Sequence, residues 1–136
     1  MEEPLHREIL EDHARSPSHQ SSLERLTEES LWTSPKTGNF CSVSICSEGD
    51  RIGQIQAKAE GSALAVASAS LMASSIVGLA HGEALSLAES VIGFLEKGKE
   101  VVLPGDLVVY ESIARFPKRH DCAMLAWRAL LLALKP

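Results

Sequence analysis

The stretch Arg119-His-Asp-Cys-Ala-Met-Leu-Ala-Trp-Arg-Ala-Leu130 predicts the last apolar helix of the chain. Its apolar positions recur every three or four residues: Leu125, Ala126, Ala129, Leu130, Ala133 and Leu134. The pattern indicates a helix that begins close to Cys122, with Asp121 or His120 as its cap. A thiol there would face the unpaired N–H groups of the first turn, which favour the thiolate, while the adjacent carboxylate disfavours it. The placement of Cys122 is therefore the first indication of function.

Length and composition indicate one intracellular domain. A chain of 136 residues is most economically a single domain, 1–136, that folds without disulfides. Three cysteines cannot all pair, and the acidic start Met1-Glu2-Glu3-Pro4 does not resemble a secretory leader, so we expect a cytoplasmic protein with reduced thiols. The 13 basic and 18 acidic residues give a net charge of −5, and aromatic residues make up 4% of the chain. Both values disfavour a nucleic-acid partner.

One segment has the length of a membrane span. Gly61 to Ala80 is a run of 20 residues without a charge. Neither flank carries a cluster of Lys or Arg that would orient insertion, and five serines interrupt the run. These serines are Ser62, Ser68, Ser70, Ser74 and Ser75. We therefore predict a buried helix and no membrane partner.

The first half of the chain predicts a helix and a hairpin. The helix begins near Pro4 and ends at Ser16-Pro17. Residues 18–36 are predicted as a loop or short helical turn, held by the apolar residues Leu23, Leu26, Leu31 and Trp32. Two strands, Phe40–Ile45 and Ile52–Ala59, should pair as an antiparallel hairpin. Alternation in the first strand separates two sets of side chains onto opposite faces. They are Cys41, Val43 and Ile45 on one face, and Ser42, Ser44 and Cys46 on the other.

The second half predicts helices. A helix rich in alanine and serine covers 63–80 and is closed by His81-Gly82, and another covers 86–97, with Ser86 and Glu89 in the register of a capping box. Pro104-Gly105 forms a turn before a helical stretch over 106–113. Phe116-Pro117 then predicts an extended approach to Cys122. The whole is an α+β domain in which helices pack on one face of a small antiparallel sheet.

Three segments of this chain resemble the NifU/IscU/SufU family of iron–sulfur cluster scaffolds. Cys122-Ala-Met-Leu-Ala-Trp-Arg-Ala-Leu130 is similar to the C-terminal helix of the family, and most similar to its SufU branch. Gly61-Ser-Ala-Leu-Ala-Val-Ala-Ser-Ala-Ser-Leu-Met72 resembles its central helix, and Leu5–Pro17 its opening helix. The resemblance frames nearly the whole chain and implies the family's α+β fold.

The resemblance also implies a ligand set, from which this chain departs. Family members use three cysteines and an aspartate to hold zinc or to assemble a cluster. Cys41 and Cys122 match the first and third cysteine, whereas Val43 replaces the aspartate and Ser62 replaces the second cysteine. The resemblance therefore implies zinc or an iron–sulfur cluster at Cys41 and Cys122, with Asp121 and His120 as further donors. A protein that binds neither is the alternative.

Two functions follow from the resemblance. The first is a scaffold or sulfur acceptor in iron–sulfur cluster assembly, in which a cysteine desulfurase or another assembly protein is the partner and Cys122 or Cys41 accepts a persulfide. The second is a scaffold relic that binds no metal and acts through protein contacts alone. No histidine is placed by its spacing to serve Cys122 as a base, and no phosphate-binding loop is evident, so we do not expect an enzyme.

Overall fold

The computed structural model describes residues 4–19 and 29–134. Within these residues, three strands form one antiparallel sheet in the order β1-β2-β3. The strands are β1 (Glu29–Thr33), β2 (Phe40–Glu48) and β3 (Arg51–Glu60). The helices are α1 (Pro4–Arg15), α2 (Ala63–Ile76), α3 (His81–Lys97), α4 (Tyr110–Ile113) and α5 (Pro117–Leu134), and a 3-10 turn at Gly105–Val109 precedes α4.

The hairpin and its register confirm the sequence prediction. β2 and β3 are joined by a tight turn in which Gly49 has φ 63°, a left-handed conformation that glycine adopts without a steric penalty. Pairing is regular until a shift between Cys46 and Ser47. Because the register is unbroken from Phe40 to Cys46, Cys41 and Cys46 lie on opposite faces of β2. Cys41 stands between Trp32 of β1 and Ala59 of β3.

The helices pack against one face of the sheet and enclose the core, as predicted. α2 contacts α1, α5 and β3, and α5 contacts all three strands. The alanines and serines of α2 allow these close approaches: nine of its residues are buried, among them Ser68 and Ser70. Trp127 of α5 is fully buried and packs edge-on to Tyr110, with ring centroids 6.4 Å apart.

A buried hydrogen-bond network joins three helices at this point. Trp127 Nε1 donates to the Tyr110 hydroxyl at 2.8 Å, and that hydroxyl lies 2.5 Å from Ser68 Oγ. Ser68 Oγ donates in turn to the backbone carbonyl of Ala123 at 2.6 Å, so the tyrosine O–H donates to Ser68. Among the described residues, every buried side-chain nitrogen and oxygen has a hydrogen-bond partner. The network fixes α5 next to Cys122 against α2 and α4.

α1 is attached differently. None of its residues is fully buried, although Ile9 and Leu10 pack against the core. Two histidines of this helix form hydrogen bonds with buried serines of other helices. His6 Nδ1 lies 2.7 Å from Ser112 Oγ, and His13 Nδ1 lies 2.7 Å from Ser70 Oγ. The predicted helix is confirmed, and polar contacts supply much of its anchoring.

Several sequence predictions are wrong. The stretch 18–36 contains β1, so Leu31 and Trp32 lie in a strand, while Leu23 and Leu26 fall outside the described residues. His81-Gly82 does not close a helix but opens α3, and the capping box predicted at Ser86 and Glu89 lies inside that helix. The cap is instead made by Glu83, whose Oε1 accepts from the Ala80 N–H at 2.9 Å. α2 ends earlier than predicted, at Ile76.

The start of α5, the helix that carries Cys122, was also predicted wrongly. α5 begins at Pro117, not near Cys122, so Phe116-Pro117 is a helix start and not an extended approach. Proline suits a first helical position because its fixed φ matches the helix and its missing N–H has no intrahelical partner there. Cys122 therefore lies in the second turn, and neither Asp121 nor His120 is the helix cap. Among the helices of the described residues, none has the combined length and apolar character of a membrane span.

Candidate functional site

A cavity of about 440 Å³ opens where α1, the start of α2 and the start of α5 meet. Cys122 and Ser62, which stand at two positions of the implied ligand set, both line it. The remaining lining residues are Arg7, Leu10, Glu11, Ala14, Ala63, Leu64, Ala67, Lys118 and Arg119. The fold thus brings together residues from both ends of the chain around one partly exposed thiol.

The two cysteines at family positions have different surroundings. Cys122 is half-buried and presents its thiol to the cavity. Cys41 is 0% exposed and does not line the cavity. Burial raises the pKa of the Cys41 thiol from its ordinary 9.0 to about 12, and a hydrogen bond with the Lys58 backbone offsets only part of that rise. At neutral pH Cys41 is therefore a protonated core side chain.

The residues that replace the missing ligands have structural roles. Ser62 is the N-cap of α2, and its Oγ accepts a hydrogen bond from the Ala65 N–H at 3.2 Å. A cysteine would cap this helix less well. Val43 is 0% exposed and belongs to the apolar core beneath the sheet. In this chain, Ser62 and Val43 both contribute to folding stability.

The two additional donor candidates are engaged by the protein itself. Ser34 Oγ donates to Asp121 Oδ2 at 2.6 Å, and the same Oγ accepts from the N–H of Lys36 at 3.1 Å. The Asp121 carboxylate thus anchors the turn between β1 and β2. His120 Nε2 lies 2.9 Å from the carbonyl oxygen of Ala114, so Nε2 carries the proton that is donated.

These side chains do not fit a resident zinc ion. A structural zinc site needs four thiolate, imidazole or carboxylate donors. In residues 4–19 and 29–134, no three His, Cys, Asp or Glu side chains are grouped so that they could hold a metal. Cys41 would also have to lose a proton that burial holds on it. The assignment of metal to Cys41 and Cys122, with Asp121 and His120, stays a prediction to which this geometry adds no support.

Several cationic side chains line the cavity, a feature that the sequence analysis did not predict. Arg7 comes from α1, whereas Lys118 and Arg119 come from the first turn of α5. Of the lining residues that the structure describes, only Glu11 carries a carboxylate, and its Oε1 accepts from Arg7 Nε at 2.9 Å. Arg119 also lies over the Phe116 ring, 4.7 Å from its centroid. The lining carries two more positive than negative charges, in a chain whose net charge is −5.

Comparison with known proteins identifies the domain family to which this fold belongs. The NifU-like N terminal domain family matches residues 5–136, and the chain belongs to that family. It is 29% identical over 134 residues to the iron–sulfur cluster assembly scaffold protein IscU of Streptococcus pyogenes serotype M1, covering 96% of this chain and 83% of the relative. It is 28% identical over 129 residues to the zinc-dependent sulfurtransferase SufU of Bacillus subtilis strain 168, covering 93% and 86%.

A solved structure supports the fold. The crystal structure of a putative iron–sulfur cluster assembly scaffold protein for the SUF system from Fervidobacterium islandicum AW-1 superimposes with a TM-score of 0.85. The match covers 94% of this chain and 95% of that one, at 23% sequence identity. The family and the α+β fold that the resemblance implied are confirmed.

Iodoacetamide is expected to modify Cys122 well before Cys41 in the folded protein. The reagent attacks thiolates, and a pKa of about 12 leaves the buried Cys41 protonated. Peptide mass mapping after brief treatment at about pH 8 checks this, with protein unfolded in guanidinium as the control in which all three cysteines react. Equal labelling of Cys41 and Cys122 in the folded protein would show that Cys41 is not buried.

Proposed function

We propose that this protein is a sulfur acceptor in iron–sulfur cluster assembly and that Cys122 is its one working thiol. The observation that carries the proposal is the contrast between the two cysteines at family positions. Cys122 lines an open cavity, whereas Cys41 is fully buried with a raised pKa. Family membership and the relatives described as a cluster scaffold and a sulfurtransferase support the same reading.

The transfer step needs only one accessible thiolate. The Cys122 thiolate attacks the terminal sulfur of a persulfide, R–S–SH, carried by a cysteine desulfurase. A bond forms between Cys122 Sγ and that sulfur, the S–S bond of the donor breaks, and R–S⁻ leaves. The products are Cys122–S–SH and the donor thiolate. Nothing is oxidised or reduced overall, so no metal or further reactant is required.

The cytoplasm is the compartment that fits this chemistry, because a reducing environment keeps the three thiols unpaired. The protein would then hold sulfur for a cluster or for another assembly protein. In this proposal each protein molecule takes up one sulfur atom, because Cys122 is its one acceptor thiol. The runner-up, a relic that engages the desulfurase by contact without accepting sulfur, predicts no adduct.

The proposal is tested by mass spectrometry of intact, anaerobically purified protein after incubation with a cysteine desulfurase and cysteine. A mass gain of one sulfur atom is expected for wild type, Cys41→Ser and Cys46→Ser, and is expected to be absent from Cys122→Ser. Cys46→Ser is the matched control, and circular dichroism checks that each variant is folded.

Three results would overturn the proposal. An adduct that persists in Cys122→Ser would move the acceptor elsewhere. Unmodified wild type, with desulfurase turnover still altered by its presence, would favour the contact-only protein. Stoichiometric zinc or iron that is taken up by wild type and lost in both Cys41→Ser and Cys122→Ser would restore the metal site.

A further inference from the structure

The cavity beside Cys122 has the size of a small-molecule site. Its volume of about 440 Å³ lies within the range of ligand pockets, roughly 300–1,000 Å³. Leu10, Leu64 and Ala67 supply an apolar wall, and the thiol of Cys122 lies among them. A short flexible molecule is small enough to occupy this space beside Cys122.

The charges on the lining favour an anion. Among the described residues, the lining carries the cationic side chains of Arg7, Lys118 and Arg119 and the carboxylate of Glu11, which is paired with Arg7. The first turn of α2, a helix of 14 residues, adds partial positive charge at Ala63 and Leu64. A cleft lined by one sign of charge concentrates ligands of the other sign, even on a chain whose net charge would repel them.

We propose that this cavity binds small thiols that carry carboxylates, and that they exchange sulfur with Cys122. The inference rests on the proposed function and names the class of molecule to which the persulfide is passed. The thiolate of the small molecule attacks the terminal sulfur of Cys122–S–SH. The bond from that sulfur to Cys122 Sγ breaks, a bond to the small thiol forms, and Cys122 leaves as the thiolate. One S–S bond is lost and one is made, so the exchange is balanced without an oxidant.

The cavity's charge preference is tested with two disulfides of similar length and opposite charge. Dithiodipropionate carries two carboxylates and cystamine carries two ammonium groups. The rate at which each forms a mixed disulfide with Cys122 is followed by intact mass at low salt. Each rate is divided by the rate of the same disulfide with mercaptoethanol, which removes differences in intrinsic reactivity. We expect the dianion to be favoured about tenfold, with the preference falling as salt is added.

Charge-neutralising variants locate the effect. Arg7→Gln and the double variant Lys118→Gln/Arg119→Gln are expected to lower the preference several-fold. Arg15→Gln is the matched control, because it removes the same charge from α1 outside the cavity. The inference is overturned if the dication reacts faster, if the two disulfides react equally, or if Arg15→Gln has the same effect as Arg7→Gln.

The result can be separated from a failure of the proposed function. If the desulfurase loads Cys122 with persulfide but the charge preference is absent, only the small-thiol site is excluded. If neither is observed, Cys122 is not the sulfur acceptor. A final check is discharge of the loaded persulfide by mercaptopropionate, which is expected to be slower in the Lys118→Gln/Arg119→Gln variant than in Arg15→Gln. Equal discharge in these variants would also overturn the inference.

Discussion

The Val43→Asp variant is expected to lose about 4 kcal/mol of unfolding free energy near neutral pH, because a buried carboxylate without a cation is strongly unfavourable. Val43 is 0% exposed, and its neighbours across the sheet, Ser30 and Ala57, carry no charge. Urea denaturation measures the loss. Val43→Thr, which has the same shape and no charge, is the control and should lose much less. A loss for Val43→Asp no larger than for Val43→Thr would contradict the apolar surroundings of this position.

The same variant should show a defined pH dependence. Burial raises the pKa of an introduced carboxyl, so the folded state favours the protonated form. Stability relative to wild type is therefore greatest at low pH and is lost as pH rises through the raised pKa.

Adding Ser62→Cys to Val43→Asp restores, in sequence, the family's set of three cysteines and an aspartate. Zinc is then expected to raise the Tm of Val43→Asp/Ser62→Cys and to leave wild type unchanged. No zinc effect on that variant would mean that the four positions do not converge.

The Tyr110→Phe variant is expected to lose about 2–3 kcal/mol, since it leaves a buried donor without a partner. Trp127 Nε1 would lose its acceptor at 2.8 Å, and Ser68 would lose the donor on its oxygen. Both residues are 0% exposed, so water does not replace the lost contacts. Equilibrium unfolding measures the change. A double-mutant cycle with Trp127→Phe is the control, and the two losses should be less than additive. Simple additivity would contradict the network.

Alkaline pH provides a second readout of the same hydroxyl. Burial raises the pKa of Tyr110 from 10.0 to about 12, and its hydrogen bonds with Ser68 and Trp127 offset part of the rise. Because the unfolded chain ionises first, the stability that this group contributes is complete below about pH 10 and is lost between pH 10 and 12. The difference between wild type and Tyr110→Phe should therefore narrow over that interval. The raised pKa of Cys41 makes the same pH-dependent contribution to stability in both proteins, so this contribution cancels in the comparison.

Local patterns predicted what local interactions determine. The hairpin follows from alternation over Phe40–Ile45 and from the turn at Gly49-Asp50, so the face on which Cys41 lies could be read from the sequence. The start of α5 could not be read in the same way. Pro117 restricts Phe116 and also suits a first helical position, and the local sequence does not decide between the two.

The cavity could not be predicted from local sequence patterns. Arg7 and Lys118 are far apart in the chain and meet only because α1 and α5 both pack on α2. Lys118 lies shortly before Cys122 in the chain, but nothing in the sequence marks Arg7 as part of the same site. β1 was missed for a related reason. Its five residues alternate between exposed and half-buried, a pattern too short to stand out before the pairing with β2 is known.

The way in which α1 is attached to the fold affects how accessible Cys122 is. One wall of the cavity comes from this helix, which has no fully buried residue and meets the serines of α2 and α4 through His13 and His6. Elements anchored in this way open locally at a lower free energy than global unfolding. Local opening of α1 would remove this wall of the cavity. The exposure of Cys122 therefore depends on how stably this one helix is docked, as well as on the global stability of the fold.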